Sequence, residues 1–187
     1  MKNFYFAYGK LFLGPVLILL TMTNSFAAEV IDCKVEFSTI GSPVLISIEG
    51  KSEIACQGQV IANGEDLSQS KFSLDLSRLE TGIPLRNKHL RENYLHVSKF
   101  PTSNLTNLKL NDYSKQLKNS GQDSDFGATL ELHGLQKPIK GKYRIKNGSA
   151  YKVTFQIEVT DFDIQRPDFM GVKVVDKVNV VVNFKLK

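Results

Sequence analysis

Alternation of apolar and polar residues with a period of two constrains the fold of this 187-residue chain most strongly. In KFSLDLSRL, the residues Phe72, Leu74 and Leu76 share one face of an extended strand. Two later segments show the same pattern. Their apolar faces comprise Val153, Phe155, Ile157 and Val159 in VTFQIEV, and Val178, Val180, Val182, Phe184 and Leu186 in VNVVVNFKL. Each segment predicts a strand with one polar face.

Six further segments carry weaker strand patterns, and most are bounded by Gly, Asn, Ser or Pro. They are CKVEFST, VLISIEG, EIACQGQVIA, NLKLN, FGATLELHG and KGKYRIK. NGS at 147–149 predicts a hairpin between the last of these and the strand that follows. Successive short strands without alternating helices predict an all-β, single-domain antiparallel sandwich or barrel.

The basic segment TGIPLRNKHLRENYLHVSKFP, residues 81–101, is the one candidate for a helix. The helix is expected to begin after Pro84 and to end at Pro101. Its approximate apolar face consists of Leu85, Leu90, Tyr94 and Leu95.

The N-terminal residues have the pattern of an export signal. A basic start precedes LFLGPVLILL, an apolar run too short to span a bilayer, and Ser25 and Ala27 fit a cleavage site. The sequence predicts a signal peptide over residues 1–27, a mature domain over residues 28–187 and a periplasmic or secreted location. An uncleaved membrane anchor is the alternative. No second apolar run has membrane length, so no transmembrane segment is predicted in the mature chain.

The charge of the chain argues against nucleic-acid binding. There are 24 Lys and Arg against 19 Asp and Glu, a formal net charge of +5, and two of the lysines lie in the predicted signal. Basic and acidic residues are interspersed, whereas a nucleic-acid binder carries a concentrated basic stripe with aromatic residues. We therefore predict no nucleic-acid partner.

Two cysteines, Cys33 and Cys56, flank the first predicted hairpin. An even number of cysteines in an oxidising compartment usually forms bridges, so a disulfide between them is predicted. Two buried thiols are one alternative. Lipid attachment at Cys33 is another, but VIDC lacks the small residues expected before a lipidated cysteine.

Four stretches, taken with the order of the elements, resemble the YceI-like family of exported lipid-binding proteins. They are TGIPLRNKHLRENYLHVSKFP, LELHGLQKPI, DFDIQRPDF and VVDKVNVVVNFKL. The most specific parts are the spacing of Thr81, Arg86 and His89-Leu90 before KFP, and the HGLQKP turn. The likeness runs from about Val35 to the C-terminus.

The resemblance implies an extended antiparallel β-barrel of about eight strands, lipocalin-like in shape, with one or two short helices. Its interior would hold a polyisoprenoid, an isoprenoid quinone or a fatty acyl derivative. The chain departs from the family pattern at Asn87, where the family usually has Asp, at ENY (92–94), where it has Asp-Phe-Phe, and at Met170, where it has Gly. These departures concern the polar contacts of the ligand more than the fold.

The inner face of such a barrel would carry the strongly alternating apolar residues. The predicted lining set is Phe72, Leu74, Leu76, Phe155, Ile157, Val180, Val182 and Phe184. Each methylene-sized unit removed from water contributes about 0.8 kcal/mol, so this wall could bind a long chain without specific hydrogen bonds. One alternative is a packed barrel that acts as a protein-interaction module. The other is an enzyme that acts on a lipid inside the barrel.

Catalytic and metal sites are predicted to be absent. His89 and His96 are seven residues apart, roughly 10 Å along a helix, which is too far for one metal ion. No HExxH, GxSxG or glycine-rich phosphate loop occurs in the sequence. We predict no cofactor other than a bound lipid or quinone, and a homodimer is left open.

Charged residues are predicted to close the barrel rim or to contact a ligand head group. They are Arg86, His89 and Arg91 in the basic segment, and Arg166 and Asp168, which the resemblance adds. Asp168 is a candidate ion-pair partner for one of the cations. A phosphate, hydroxyl or quinone oxygen would be the natural acceptor for the cations. In HGLQKP, a tight turn at Gly134 with Pro138 at the entry to the next strand is favoured over a mouth loop.

Overall fold

The computed structural model describes residues 25–42, 46–52, 56–63, 66–169 and 172–187. Nearly all of the predicted signal peptide, and Met170, lie outside these residues. The strands are β1 (Ser25–Ser42), β2 (Ile46–Ser52), β3 (Cys56–Asn63), β4 (Lys71–Asp75), β5 (Thr102–Leu110), β6 (Ser124–Leu132), β7 (Leu135–Lys146), β8 (Ala150–Glu158), β9 (Asp168–Phe169), β10 (Val172–Val174) and β11 (Lys177–Leu186), and the helices are α1 (Pro84–His89) and α2 (Tyr113–Lys118).

Eight strands form a closed antiparallel barrel. Their order is β1-β3-β4-β5-β6-β7-β8-β11, and β11 pairs back onto β1 between Val30 and Ser38. Closure gives each of the eight strands a neighbour on both sides and removes the sheet edges at which chains aggregate. The predicted all-β, lipocalin-like barrel of about eight strands is confirmed.

The long strand β1 pairs with different strands along its length. Its residues Ser25–Glu29 pair with β3, Val35–Gly41 pair with β2, and β11 occupies the opposite edge. Ala28 pairs with Val60, so the strand would keep pairing to β3 from the predicted mature N-terminus onward. The cleavage site itself stays a prediction.

The strand predicted in KFSLDLSRL is shorter than its alternation suggested. Strand β4 ends at Asp75, and Leu76–Arg78 form a 3₁₀ turn. The carboxylate of Asp75 accepts a hydrogen bond from the backbone N–H of Ser77 at 2.9 Å and so caps this turn. Leu76 nevertheless remains buried, with 2% of its surface exposed.

The helix predicted up to Pro101 is also shorter. Helix α1 covers Pro84–His89 and continues as one π turn, Leu90–Tyr94. His96 has a φ of +45°, which takes the chain out of helical geometry. The four residues of the predicted apolar face, Leu85, Leu90, Tyr94 and Leu95, all line the interior of the barrel, although Leu85 is 55% exposed whereas Leu95 is buried.

Two tight turns connect the strands β6, β7 and β8. Asn147 and Gly148 both have positive φ, in keeping with the hairpin predicted from NGS, and so do His133 and Gly134 in HGLQKP. Pro138 does not mark the entry to β7, which already begins at Leu135. Pro138 lies inside β7, before the residues of β7 that pair with β8. Its missing N–H therefore removes no hydrogen bond to β8.

Candidate functional site

A cavity of about 650 Å³ runs through the interior of the barrel, with residues of all eight barrel strands in its wall. This volume lies within the usual range of small-molecule pockets, about 300–1,000 Å³. The interior is therefore not filled by a solid core, which counts against the packed-barrel alternative. All eight predicted lining residues lie on this wall: Phe72, Leu74, Leu76, Phe155, Ile157, Val180, Val182 and Phe184.

The prediction of the wall was incomplete, because it drew on three strands only. Strands β1, β5 and β6 also contribute, for example through Phe37, Leu105 and Leu130. In the sequence, polar residues interrupt the apolar alternation of these strands. In the structure, irregular pairing changes which residues face inward, as at the register shift between Thr106 and Lys109 in β5.

The wall is apolar along most of its length. Among the described residues that line it, there is no Asp, Glu or Lys, and Arg86 and His89 are the only Arg and His. A charged group far from these two residues would lose its hydration without a partner of opposite charge, whereas a hydrocarbon chain would only gain from burial. The cavity therefore suits a long apolar ligand.

One end of the cavity, which we call the closed end, lies where β7 and β8 meet at the 147–149 turn. Tyr143 and Ile145 of β7 are buried there, as is Tyr113 of helix α2. The Tyr143 hydroxyl donates a hydrogen bond to the carbonyl oxygen of Asn111 at 2.6 Å, and the Tyr113 and Tyr151 hydroxyls lie 3.3 Å apart. Burial raises the pKa of the Tyr151 phenol, and the hydrogen bond with Tyr113 adds to the rise. The Tyr151 phenol is therefore neutral at physiological pH.

The opposite end, which we call the mouth, is bounded by α1 and the residue before it. Ile83 and Leu85 line the cavity there while 51% and 55% exposed. Pro167 and Val174, from the region of β9 and β10, lie on the same wall. The cavity therefore reaches the protein surface beside α1.

The predicted rim cations occupy different positions at the mouth. Arg86 lines the cavity, donates a hydrogen bond to the carbonyl oxygen of Thr81, and has a buried Nε without a partner among the described residues. His89 also lines the cavity. Arg91 does not; its Nη2 lies 3.4 Å from the Leu79 carbonyl oxygen and 3.3 Å from a Glu80 carboxylate oxygen. Arg86 and His89 can meet a ligand, whereas Arg91 fastens the π turn after α1 to the chain that precedes α1.

The predicted pairing of Asp168 with one of these cations is not observed. Arg166 and Asp168 are exposed and lie outside the cavity wall, and no ion pair joins Asp168 to a cation in the described part of the chain. Arg166 instead lies near Asp176. Burial raises the pKa of the Asp176 carboxyl, but hydrogen bonds from Thr160 and the charge of Arg166 outweigh this effect and hold the pKa below its usual value.

Asn87, a departure from the family pattern, is a structural residue. It is only 8% exposed, and its Oδ1 accepts hydrogen bonds from the backbone N–H and the hydroxyl of Thr81, at 2.7 and 2.6 Å. Asn87 does not line the cavity. It closes the loop that leads into α1, and an aspartate oxygen could accept the same two bonds.

Replacing Asn87 with alanine should lower the free energy of unfolding by about 1–3 kcal/mol, because two donors of Thr81 lose their acceptor. Asn87→Asp retains the acceptor and is the matched control, with an expected change below about 1 kcal/mol. Urea denaturation followed by circular dichroism measures both variants. Equal losses for the two would show that the acceptor oxygen is not what holds the loop.

A histidine pair near the mouth was not predicted. His96 Nδ1 lies 2.8 Å from His133 Nε2, and His133 Nδ1 lies 2.9 Å from the carbonyl oxygen of Phe162. The two histidines are 37 residues apart and both have positive φ, so no local pattern announces the contact. Neither lines the cavity. The described residues contain no group of three or more His, Cys, Asp or Glu placed to hold a metal ion.

The predicted disulfide is confirmed. Cys33 in β1 is bonded to Cys56 at the start of β3, with their Cα atoms 5.5 Å apart. Cys33 lies where the register of β1 against β11 shifts, and Cys56 contributes to the cavity wall. The bridge therefore fastens β1 and β3 to each other beside the cavity.

In the part of the chain that is described, no helix combines the length and apolar character needed to cross a bilayer.

A closed eight-stranded antiparallel barrel around an apolar axial cavity defines a lipocalin-like barrel. The model of the YceI-like domain matches residues 33–186, so this chain belongs to the YceI-like family. The chain is 28% identical over 106 residues to the UPF0312 protein ECA1782 of Pectobacterium atrosepticum. That match covers 49% of this chain and 50% of the relative, so the chain spans about half of the relative's length.

Two solved structures share the fold. A polyisoprenoid binding domain from Saccharophagus degradans, implicated in plant cell wall breakdown, superposes with a TM-score of 0.61 at 13% identity, covering 86% of this chain and 97% of that one. BcnA of Burkholderia cenocepacia gives a TM-score of 0.63 at 12% identity, covering 83% and 96%. At these identities the likeness establishes the fold.

Proposed function

We propose that this protein is an exported, non-catalytic binding protein that holds a long-chain amphiphile in its barrel. The ligand is a polyisoprenoid, an isoprenoid quinone or a fatty acyl derivative. The observation that carries the proposal is the apolar cavity, which runs from the mouth to the closed end without a carboxylate or lysine among its described lining residues. A structural relative described as a polyisoprenoid binding domain supports the same class of ligand.

The apolar wall would supply most of the affinity. Each methylene-sized unit of the ligand that leaves water contributes about 0.8 kcal/mol, and the predicted lining residues present mainly aliphatic and phenyl surface to it. An anionic head group would remain at the mouth, where Arg86 and His89 provide donors and positive charge. We assign these two residues to head-group contact, and Arg91 to closure of the rim.

We propose binding rather than turnover, because the described residues of the wall offer no recognisable catalytic group. A general base needs a second group to orient it and a reacting partner within hydrogen-bond distance. His89 is the only lining histidine among the described residues, and no carboxylate lines the cavity beside it. In this proposal His89→Ala weakens ligand retention. Neither the wild type nor the variant converts the bound lipid into a product.

The proposal also includes export, on the strength of the N-terminal signal pattern. Cleavage after Ala27 would leave a chain of residues 28–187 in the periplasm or outside the cell. The protein would then take up its ligand from a membrane surface or deliver it to one.

Native mass spectrometry of the protein purified from its host's envelope, followed by organic extraction, tests both parts. We expect the intact mass of a chain that begins at Ala28, together with a noncovalently bound lipid with a long apolar chain. A protein that carries no lipid, and that takes up none of the three chain classes when they are offered, would contradict the binding proposal. An unprocessed N-terminus would contradict export and leave the binding proposal intact.

A further inference from the structure

The two tyrosine hydroxyls at the closed end of the cavity carry two protons, and the hydrogen bond between them uses only one. Tyr113 and Tyr151 both line the cavity, are 6% and 5% exposed, and have hydroxyl oxygens 3.3 Å apart. A single O–H joins the two oxygens, whichever residue donates it. The hydroxyl that accepts this bond keeps a proton of its own.

That second proton makes no hydrogen bond in the described part of the chain. Tyr113 and Tyr151 make no hydrogen bond there other than the one between them. The Tyr143 hydroxyl nearby donates to the carbonyl oxygen of Asn111, and no hydrogen bond joins it to Tyr113 or Tyr151 among the described residues. A buried O–H donor is normally paired, so an acceptor is expected to come from inside the cavity.

We propose that Tyr113 and Tyr151 form a subsite that donates a hydrogen bond to a neutral oxygen on the end of the ligand that enters the barrel first. This inference rests on the proposed lipid-binding function and deepens it. The oxygen belongs to a carbonyl, amide or hydroxyl group, and the apolar chain behind it extends toward the mouth.

The closed end selects a neutral oxygen rather than an anion. Arg86 and His89, the only Arg and His among the described lining residues, belong to α1 at the mouth. A phosphate or carboxylate at the closed end would be desolvated without a cation beside it. Because burial raises the pKa of Tyr151, its phenol stays protonated and continues to donate at neutral pH.

The Tyr151 ring is held in place by its packing. It stacks on the ring of Phe184, with centroids 5.0 Å apart and planes inclined by 3°. Residue 151 is also paired with Ile145 and Phe184 in the neighbouring strands. A donor fixed in this way loses little conformational freedom when an acceptor arrives. The charge of the head group would thus set the orientation of the ligand, with neutral groups at the closed end and anions at the mouth.

The test compares two probes with the same octadecenyl chain, oleamide and the corresponding hydrocarbon, by displacement of a fluorescent fatty acid. The quantity measured is the ratio of their dissociation constants. The variants are Tyr113→Phe, Tyr151→Phe and the double replacement. Comparison with the wild-type ratio cancels the different hydration of the two probes, and oleyl phosphate serves as an anionic control.

The double variant should lose about tenfold of the wild-type preference for oleamide while it binds the hydrocarbon as before. Each single variant leaves one free O–H and should keep most of the preference. Oleyl phosphate should bind the double variant and the wild type alike. An unchanged oleamide ratio in the double variant would overturn the subsite and leave the lipid-binding function standing. Failure of the wild type to bind any probe would overturn both.

A measurement on the wild-type protein covers the case in which the double variant does not fold. In the complex with oleamide, nuclear Overhauser effects should join the methylene protons next to the carbonyl to ring protons of Tyr151 and Phe184. Contacts from those methylene protons to Leu85 and Leu90 instead would place the amide at the mouth and refute the subsite.

Discussion

Val180→Phe is expected to weaken the binding of a long-chain ligand about 100-fold. Val180 lies on the cavity wall and is paired with Phe155 in the neighbouring strand β8 and with Phe37 in the neighbouring strand β1. The larger side chain would occupy space that the ligand needs and displace about four methylene-sized units, at about 0.8 kcal/mol each. The resulting loss of about 3 kcal/mol corresponds to about two powers of ten in the dissociation constant. Displacement of a fluorescent fatty acid by oleamide measures it.

Val181→Phe is the matched control for this prediction. Val181 is the next residue in β11 and is not on the cavity wall, because successive side chains of a strand point to opposite faces. The control should retain the wild-type affinity, and both variants should keep the wild-type thermal stability within a few degrees. Equal affinities for the two variants would mean that the ligand does not occupy the barrel at Val180.

Removal of the disulfide should lower the free energy of unfolding by about 3 kcal/mol. The bridge joins residues separated by 23 positions and so restricts the unfolded chain. For a domain of this size, about 3 kcal/mol corresponds to a fall of about 10 °C in Tm. Differential scanning calorimetry of the Cys33→Ala, Cys56→Ala double variant measures the change.

Reduction of the wild-type protein provides the control for the disulfide prediction. Dithiothreitol should lower the Tm of the wild type by a similar amount and should not change the Tm of the double variant. A wild type whose Tm is insensitive to reductant, together with an unchanged Tm in the variant, would show that the bridge adds no stability.

The strands and much of the cavity wall could be predicted because they follow from local patterns, and the resemblance to the YceI-like family supplied the barrel. The alternation in Phe72, Leu74 and Leu76 holds for the cavity wall even though the strand ends at Asp75, because the 3₁₀ turn keeps Leu76 on the inside. The helix end could not be predicted in the same way. It depends on the positive φ of His96, and neither propensity nor periodicity signals that conformation at a histidine.

Part of the candidate site could also be predicted from the sequence, and part could not. Arg86 and His89 were predicted at the rim and are found on the cavity wall, because α1, which carries them, lies in the connection between β4 and β5 at one end of the barrel. The partner proposed for Asp168 was wrong. Opposite charge and position in the chain do not give the distance between two side chains, and Arg166 lies near Asp176 instead.

Period-two alternation was enough to indicate an antiparallel sandwich or barrel whose strands have one apolar face, because the direction of a side chain in a strand depends only on its neighbours in the chain. The choice of a barrel came from the resemblance to the YceI-like family. Whether that apolar face surrounds a cavity or a solid core could be learned only from the folded barrel. So could the pairing of Tyr113 with Tyr151 and of His96 with His133, residues separated by 38 and 37 positions. Such distances are set by the register and curvature of all eight strands together, and no local stretch of sequence contains them.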